Sequence, residues 1–288
     1  MSKTTVFTRR DFLRSTAAAA TVAATGVPDL SAAATSSSVL VLRDQKAMID
    51  DYKVDAGVLN KMLAETVMRV TGEKTAKSAW LSLFKPTDVV GLVATPHLNP
   101  THPEVVAAVR EQLRDAGIPE NNMRDAQGGP EKVEQCTALI SLPGLKAHWL
   151  TGIGTVLKNY IMYSGNPEAY HNQNNVKLGE IWNLPRVKGK TKLILVDALR
   201  PLCDKGPQPD PRYMWPYKGL VAGQDPVAVE RVCLKIITEK RHAIRGETWL
   251  LSPPPLCVEA ADKQYHVGVS DLQKIKINTA GWAQDLLL

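Results

Sequence analysis

The chain has 288 residues, of which 44% are hydrophobic and 22% charged, and its formal net charge is +6. A chain of this length forms one large domain or two small ones with a substantial buried core. Its basic residues are dispersed rather than clustered, which argues against a nucleic-acid partner. No stretch approaches the ~18 uninterrupted apolar residues of a membrane span, so we expect no span in the mature chain.

The N-terminal segment has the features of a bacterial export signal. Residues 8–14 read Thr-Arg-Arg-Asp-Phe-Leu-Arg, which resembles the twin-arginine motif, and residues 15–27 form a short, weakly apolar run. The small residues Ala32-Ala33-Ala34 suit a cleavage site. The pattern predicts a signal peptide over residues 1–34, passage through the twin-arginine translocon and a periplasmic mature protein. This route carries folded proteins, so either a cofactor is inserted in the cytoplasm or folding is fast.

The mature chain alternates β-branched runs with helical patterns, which favours an α/β protein. We predict a three-layer fold with a mostly parallel central sheet, helices on both faces and a single domain over residues 39–288. The predicted strands are residues 39–42, 89–94, 138–142, 193–196, 220–222 and 275–277. The predicted helices cover residues 58–70, then Pro103 to Gly117, then Asp225 to about Ala243.

The four cysteines leave the disulfide state open. Cys136, Cys203, Cys233 and Cys257 permit two disulfides in three connectivities, and none has the C-x-x-C spacing of common metal sites. Cys233 falls on the apolar face of the last predicted helix, which favours a buried free thiol there.

Polar side chains follow several predicted strands at their carboxyl ends, where open α/β sheets bind ligands. This edge offers carboxylates, several imidazoles and a lysine, whereas the opposite edge offers little besides Lys190 and Lys192. The candidates are His97, Asn99, His102, Lys146, His148, Asp197, Arg200, Cys203, Asp204 and Asp225. Asp225 is equally well explained as a helix cap, and Asp197 as an anchor for its loop.

A glycine pair at Gly152 and Gly154 precedes a helical pattern that carries Lys158. Backbone N–H groups at such a helix start bind anions, and Lys158 would add positive charge. The spacing matches neither the phosphate-binding nor the dinucleotide-binding fingerprint. Close packing of the glycines is the alternative interpretation.

Several motifs in fixed order carry a resemblance to domain-of-unknown-function family 362. They are Leu145-Lys146-Ala147-His148, Leu157-Lys158-Asn159, Asn166-Pro167 with Tyr170-His171, Val196-Asp197-Ala198-Leu199-Arg200 and Gly223-Gln224-Asp225-Pro226-Val227. The resemblance covers about residues 39–277. It implies an α/β fold and adds Asn159 and His171 to the candidates. Bacterial members often have twin-arginine signals and iron–sulfur neighbours, which implies a redox association, but no reaction is established.

The chain departs from the family pattern in two places. Residues 92–95 read Leu-Val-Ala-Thr where the family commonly has a lysine and an asparagine, and the stretch from Asp125 to Ala138 is shortened. Glu230 replaces an aspartate, which we interpret as a mild change on a helix surface.

The leading hypothesis is binding of an anionic or metal-linked small ligand in a cleft. Lys146 and Lys158 would hold negative charge, His148 or His171 would transfer protons or bind a metal, and Asp197 would bind a metal or orient an imidazole. Asn159 and Asp225 would complete the walls.

The alternative is a non-catalytic accessory or partner-binding protein of an exported redox system, to which the two departures from the family pattern point. A zinc or iron hydrolase would instead require at least three of six side chains to converge. These are His97, His102, His148, His171, Asp197 and Asp225.

Overall fold

A computed structural model describes residues 36–50 and 52–288, and the predicted signal peptide lies outside them. Strands β1 to β9 are, in order, Ser37–Arg43, Val90–Ala94, Met123–Asp125, Ala138–Leu142, Gly144–His148, Gly152–Ile153, Thr191–Leu202, Gly219–Gly223 and Ile275–Gly281. Helices α1 to α7 are Ala56–Thr71, Ala76–Leu83, Pro103–Ala116, Pro130–Glu134, Leu178–Trp182, Pro226–Arg245 and Leu256–Lys263. Shorter 3-10 helices are Glu120–Asn122, Leu157–Ser164, Pro167–Tyr170, Asn172–Lys177, Pro211–Tyr213 and Leu272–Lys274.

The strands form one nine-stranded mixed sheet. Its main order is β3-β2-β4-β7-β8-β1-β9, with β5 paired to the far end of β7 and β6 paired to β5. Strands β3, β2, β4 and β7 are parallel to one another, and β1 is parallel to β9. Strand β8 is antiparallel to both of its neighbours, β7 and β1. The predicted mostly parallel α/β sheet is confirmed, and β8 is the strand whose direction matters for the site.

Two apolar cores flank the sheet because alternate residues of each strand point to opposite faces. On β1, Leu40 and Leu42 belong to the core that includes residues of α1, α2 and α3. Val39 and Val41 belong to the other core, which includes residues of α5, α6 and α7. The predicted three layers, with helices on both faces, are therefore confirmed.

The predicted elements are all present, and β7 and β9 extend furthest beyond their predicted bounds. Strand β7 continues from the predicted residues 193–196 to Leu202, and β9 continues to Gly281. The third helix ends as predicted at Gly117, which has φ +105°, a backbone conformation that suits glycine. The prediction stopped β7 early because Asp197 and Arg200 resemble loop residues.

The end of the chain is held to the sheet through Arg43, the last residue of β1. Its guanidinium carbon lies 4.1 Å from the ring centroid of Tyr217 and 4.3 Å from that of Trp282. Arg43 also donates to the carbonyl oxygens of Tyr217, at 2.7 Å, and Gln284, at 2.5 Å. Since Arg43 is only 1% exposed, these contacts satisfy a charge that would otherwise be costly to bury.

All four cysteines are free and buried, so the predicted free thiol at Cys233 is confirmed. Burial raises the pKa of each thiol. Within residues 36–50 and 52–288, no helix combines the length and apolar composition required to cross a membrane.

Asp225 caps α6 and offers a direct test of this architecture. Its carboxylate accepts hydrogen bonds from the backbone N–H groups of Val227, Ala228 and Val269, each at 2.9 Å. Asp55 caps α1 by accepting only from Val58. We expect Asp225→Ala to lower the free energy of unfolding by about 2 kcal/mol or more, against about 1 kcal/mol for Asp55→Ala. Urea unfolding of both variants measures the difference, and equal losses would contradict the three-bond role.

Candidate functional site

A cleft of about 430 Å³ opens at the carboxyl edge of the parallel strands. Its walls come from the loop after β2, the loop after β3, strand β5, the 3-10 helix Leu157–Ser164 and the loop before residue 208. The lining residues are Thr95, Pro96, His97, Leu98, Gln127, Gly128, Lys146, His148, Gly154, Lys158, Asn159, Ile161, Met162 and Pro207. The lining contains two lysines and two histidines but no carboxylate, so the cleft is electropositive.

Lys146 is the most buried charged group of the cleft. Its side chain lies on β5 and is 4% exposed, and Nζ donates to the carbonyl oxygens of Leu98, at 2.8 Å, and Asn99, at 3.1 Å. Burial, followed by the charge of Lys158, lowers the pKa of Lys146 to about 7. Near neutral pH this side chain therefore changes easily between ammonium and amine.

Lys158 lies in the first turn of the 3-10 helix Leu157–Ser164 and faces the same cleft. Burial lowers its pKa to about 8. Its ammonium has no hydrogen bond or ion pair with any other residue that the structure describes. A partly buried cation without a protein partner is costly, and an anionic ligand would reduce that cost.

Glu230 fixes the start of the helix that carries Lys158. Its side chain is 0% exposed, and its carboxylate accepts from the N–H of Val156 at 2.7 Å and of Leu157 at 3.4 Å. The sequence-based interpretation of Glu230 as a helix-surface residue is therefore wrong. The N–H groups expected to bind an external anion are already bound to the protein's own carboxylate.

The glycine pair is explained by close packing. Gly152 has φ +76°, and a Cβ there would lie 2.6 Å from the carbonyl oxygen of Pro253. A Cβ at Gly154 would lie 2.9 Å from the His148 side chain. The first glycine therefore permits a backbone approach, and the second makes room for the His148 imidazole in the cleft wall.

His148 is held as a neutral imidazole. Its Nδ1 accepts a hydrogen bond from the N–H of Leu150 at 3.1 Å, which assigns the ring proton to Nε2. Burial and the charges of Lys158, His171 and Lys146 lower the pKa of His148 to about 2. His148 thus offers an N–H donor, and its low basicity argues against the predicted proton transfer at neutral pH.

His171 lies beside His148, with stacked rings whose centroids are 6.0 Å apart. It does not line the cleft itself. Burial and the charge of Lys158 lower its pKa. Its Nε2 is buried without a hydrogen-bond partner among the residues described, so His171 backs the cleft wall with a free ring nitrogen.

Asn159 ties the same 3-10 helix to the sheet. Its Nδ2 donates to the carbonyl of Val93 at 2.7 Å and to the hydroxyl of Ser141 at 3.2 Å. Both amide hydrogens are thus used within the protein. Gln127, by contrast, lines the cleft with a buried Oε1 that lacks a hydrogen-bond partner among the described residues. Sequence reasoning missed Gln127 because an isolated loop glutamine carries no pattern.

Asp197 lies inside β7 rather than in a loop at the cleft. Its carboxylate accepts from the N–H and the Nδ1 of His102, both at 2.7 Å, and from the N–H of Leu199 at 3.0 Å. Burial opposes the imidazolium, but the hydrogen bond and charge of Asp197 outweigh burial and raise the pKa of His102. Asp197 therefore orients an imidazole, as one of the sequence-based alternatives stated, but that imidazole is His102.

Asp225 lies at the opposite edge of the sheet. Because β8 is antiparallel to β7, Gly223 pairs with Ile194 near the start of β7, whereas Asp197 pairs with Leu220. The expectation that Asp225 joins the cleft wall is thus corrected by the direction of β8. The structure brings Lys146, Lys158, Asn159 and His148 together with His171 behind them, and it does not bring Asp197 or Asp225 to the cleft.

The convergence of histidines and aspartates that a zinc or iron hydrolase would require is not observed among the described residues. Within the part of the chain that the structure describes, no group of three or more His, Cys, Asp or Glu side chains is arranged to hold a metal ion. Of the six candidates, only His97 and His148 line the cleft.

The role of Glu230 predicts a pH dependence of stability. Burial raises its pKa from 4.5 to about 7, against the opposing effect of the Val156 and Leu157 N–H groups. The folded protein then binds this proton more tightly than the unfolded chain, so the free energy of unfolding falls as pH rises from 4.5 to 7. Glu230→Gln removes this titration. We therefore expect the difference in free energy of unfolding between the variant and the wild type to change by on the order of 3 kcal/mol across that window.

Urea unfolding at a series of pH values provides the measurement. Glu239→Gln, on the same helix but with a side chain 42% exposed, is the matched control and should follow the pH dependence of the wild type. Parallel curves for wild type and Glu230→Gln would contradict the role of this carboxyl group.

Comparison with protein families identifies the segment that holds these residues. Residues 118–235 match the family described as Domain of unknown function (DUF362). This range is shorter than the resemblance over residues 39–277, but it contains Lys146, His148, Lys158 and Glu230. No curated protein and no solved structure gave a match. The chain therefore contains a DUF362 domain at residues 118–235.

Proposed function

We propose that the protein binds a small organic or inorganic anion in the cleft between Lys146 and Lys158. The observation that carries the proposal is the cleft lining, whose described residues include the buried Lys146 and the half-buried Lys158 but no carboxylate. Lysines buried without a counter-charge are unfavourable in an empty protein and become favourable when an anion supplies the charge.

The cleft is suited to a ligand of a few to about twenty non-hydrogen atoms, since sites for small molecules fall in the range of about 300–1,000 Å³. Around the two cations, His148 contributes a neutral N–H donor, and Gln127 contributes an amide oxygen that has no hydrogen-bond partner among the described residues. Leu98 and Met162 add apolar surface at the wall. The combination favours a compact anion with an apolar part over a bare inorganic ion.

A metal-linked ligand is less well supported than a free anion. The cleft lining has no carboxylate, and cationic side chains repel a cation. A metal would therefore have to arrive already bound to an anionic ligand that neutralises it.

Removal of the two ammonium groups tests the proposal. A charge-assisted hydrogen bond contributes about 1.5–3 kcal/mol, so Lys146→Ala and Lys158→Ala should each weaken anion binding about tenfold or more. The double variant should lose measurable binding. Because the pKa values are about 7 and about 8, the wild-type affinity should fall as pH rises through this range. Isothermal titration with citrate and inorganic phosphate measures both effects.

Lys274→Ala is the control. This lysine is exposed and lies in the 3-10 helix before β9, so its substitution removes the same charge far from the cleft. Circular dichroism verifies that each variant is folded. Unchanged affinity in the folded double variant, or affinity lost equally in the control, would refute the assignment.

A second candidate function is binding of a partner protein from an exported redox system. Three large apolar side chains are exposed at this part of the surface: Leu98, by 40%, and Met162, by 41%, line the cleft, and Trp149, by 55%, follows His148 in the chain. Exposed apolar groups in proximity are typical of interaction surfaces. Failure of citrate and phosphate to bind, together with a stoichiometric partner that is lost in Trp149→Ala, would favour this function.

Export of the folded protein to the periplasm is part of the proposal and rests on the motif at residues 8–14, the weakly apolar run at residues 15–27 and Ala32-Ala33-Ala34. In a bacterial host with a twin-arginine translocon, we expect Arg9→Lys combined with Arg10→Lys to retain the protein in the cytoplasm as the uncleaved precursor. Cell fractionation and immunoblotting measure the distribution. Lys3→Arg should be exported normally. Periplasmic protein in the double variant would contradict this route.

A further inference from the structure

We propose that Lys146 forms an imine with a small aldehyde or ketone that also carries a carboxylate group. This inference rests on the proposed function, since it requires the cleft to hold the carboxylate, and it adds the reacting group of the ligand. The observation behind it is the hydrogen bonding of the Lys146 nitrogen.

The Nζ atom of Lys146 has two acceptors, the carbonyl oxygens of Leu98 and Asn99, at 2.8 and 3.1 Å. No third partner occurs in the part of the chain that is described. An ammonium has three N–H groups, whereas a neutral amine has two N–H groups and a lone pair. The two carbonyls thus match the donors of the amine, and the remaining position on nitrogen is left for a lone pair or for a ligand.

The surroundings of Lys146 favour this amine. No carboxylate is among the described residues that line the cleft, and the side chain is almost fully buried, so an ammonium at Nζ has no counter-charge in the wall. Lys158 adds a second positive charge nearby, and the pKa of Lys146 accordingly falls to about 7. Desolvation and an adjacent cation are the two ways in which proteins activate a lysine as a nucleophile.

The two lysines have different hydrogen bonding and therefore different roles. Lys146 is fixed by two backbone carbonyls, which positions its nitrogen for attack on a carbon atom. Lys158 has no hydrogen bond to another described residue and a higher pKa of about 8. It remains the better cation, free to pair with the carboxylate of the ligand.

The reaction is balanced without an oxidant or a reductant. The lone pair of Nζ forms the C–N bond, and the π electrons of the carbonyl move to its oxygen. Both amine protons then leave with that oxygen as water, which breaks the C–O bond and forms the C=N bond. The product is a neutral imine at Lys146, and protonation of its nitrogen gives the iminium.

Reductive trapping tests the inference. The full-length protein is incubated with pyruvate and sodium cyanoborohydride, and the adduct is located by intact mass spectrometry and peptide mapping. We expect a single reduced pyruvate adduct at Lys146, which forms about tenfold or more faster than adducts at exposed lysines such as Lys274. Citrate, which carries no aldehyde or ketone, should slow the labelling of Lys146 by occupying the cleft.

Lys146→Arg removes the nucleophile, so it should lose the adduct while the exposed lysines label as in the wild type. Citrate binding without an adduct at Lys146 in the wild type would refute the imine and leave the anion site intact. Labelling spread evenly over exposed lysines would also refute it. Absence of both citrate binding and adduct would refute this inference together with the proposed function. The wild-type map is decisive even if Lys146→Arg does not fold.

Discussion

The buried carboxylate of Glu230 holds together the parts of this molecule that form its cleft. Glu230 projects from α6, which packs on one face of the sheet, and binds the first N–H groups of the helix that carries Lys158. Without this contact the first N–H groups of the 3-10 helix would lose their hydrogen-bond acceptors. The position of Lys158 thus depends on a residue that never contacts the cleft, and a carboxylate inside the protein fixes a cation on its surface.

The sequence contained enough information for the layers, for most strand positions and for the long helices. Alternating apolar residues such as Val39 and Leu40 define both faces of a strand, and Asp225 with Pro226 marks the start of α6. Hydrophobic periodicity says nothing about strand direction, however, because it is the same for a parallel and an antiparallel strand. The direction of β8 follows from its pairing with β7 and β1, and it decides that Asp225 lies away from the cleft.

The sequence identified those residues of the candidate site that are charged and lie in short motifs. It did not identify those whose role depends on contacts between distant parts of the chain. Lys146, His148 and Lys158 converge as expected, since short motifs placed them near strand ends. Glu230 was missed because its hydrogen-bond partner lies more than 70 residues away in the sequence. Gln127 was missed because its interest arises from an amide oxygen that has no partner among the described residues. Asp197 was misplaced because a strand can continue through an aspartate whose carboxylate is satisfied by His102 and Leu199.

The lack of any carboxylate in the lining has a consequence for how the cleft can distinguish ligands. A site that contains both charge signs rejects unsuitable compounds by repulsion, whereas this one repels only cations. Among anions, selection is left to shape, to the apolar wall and to neutral donors such as His148. Other small anions would therefore compete for the proposed site, and its ligand would have to displace them by fitting better rather than by being more highly charged.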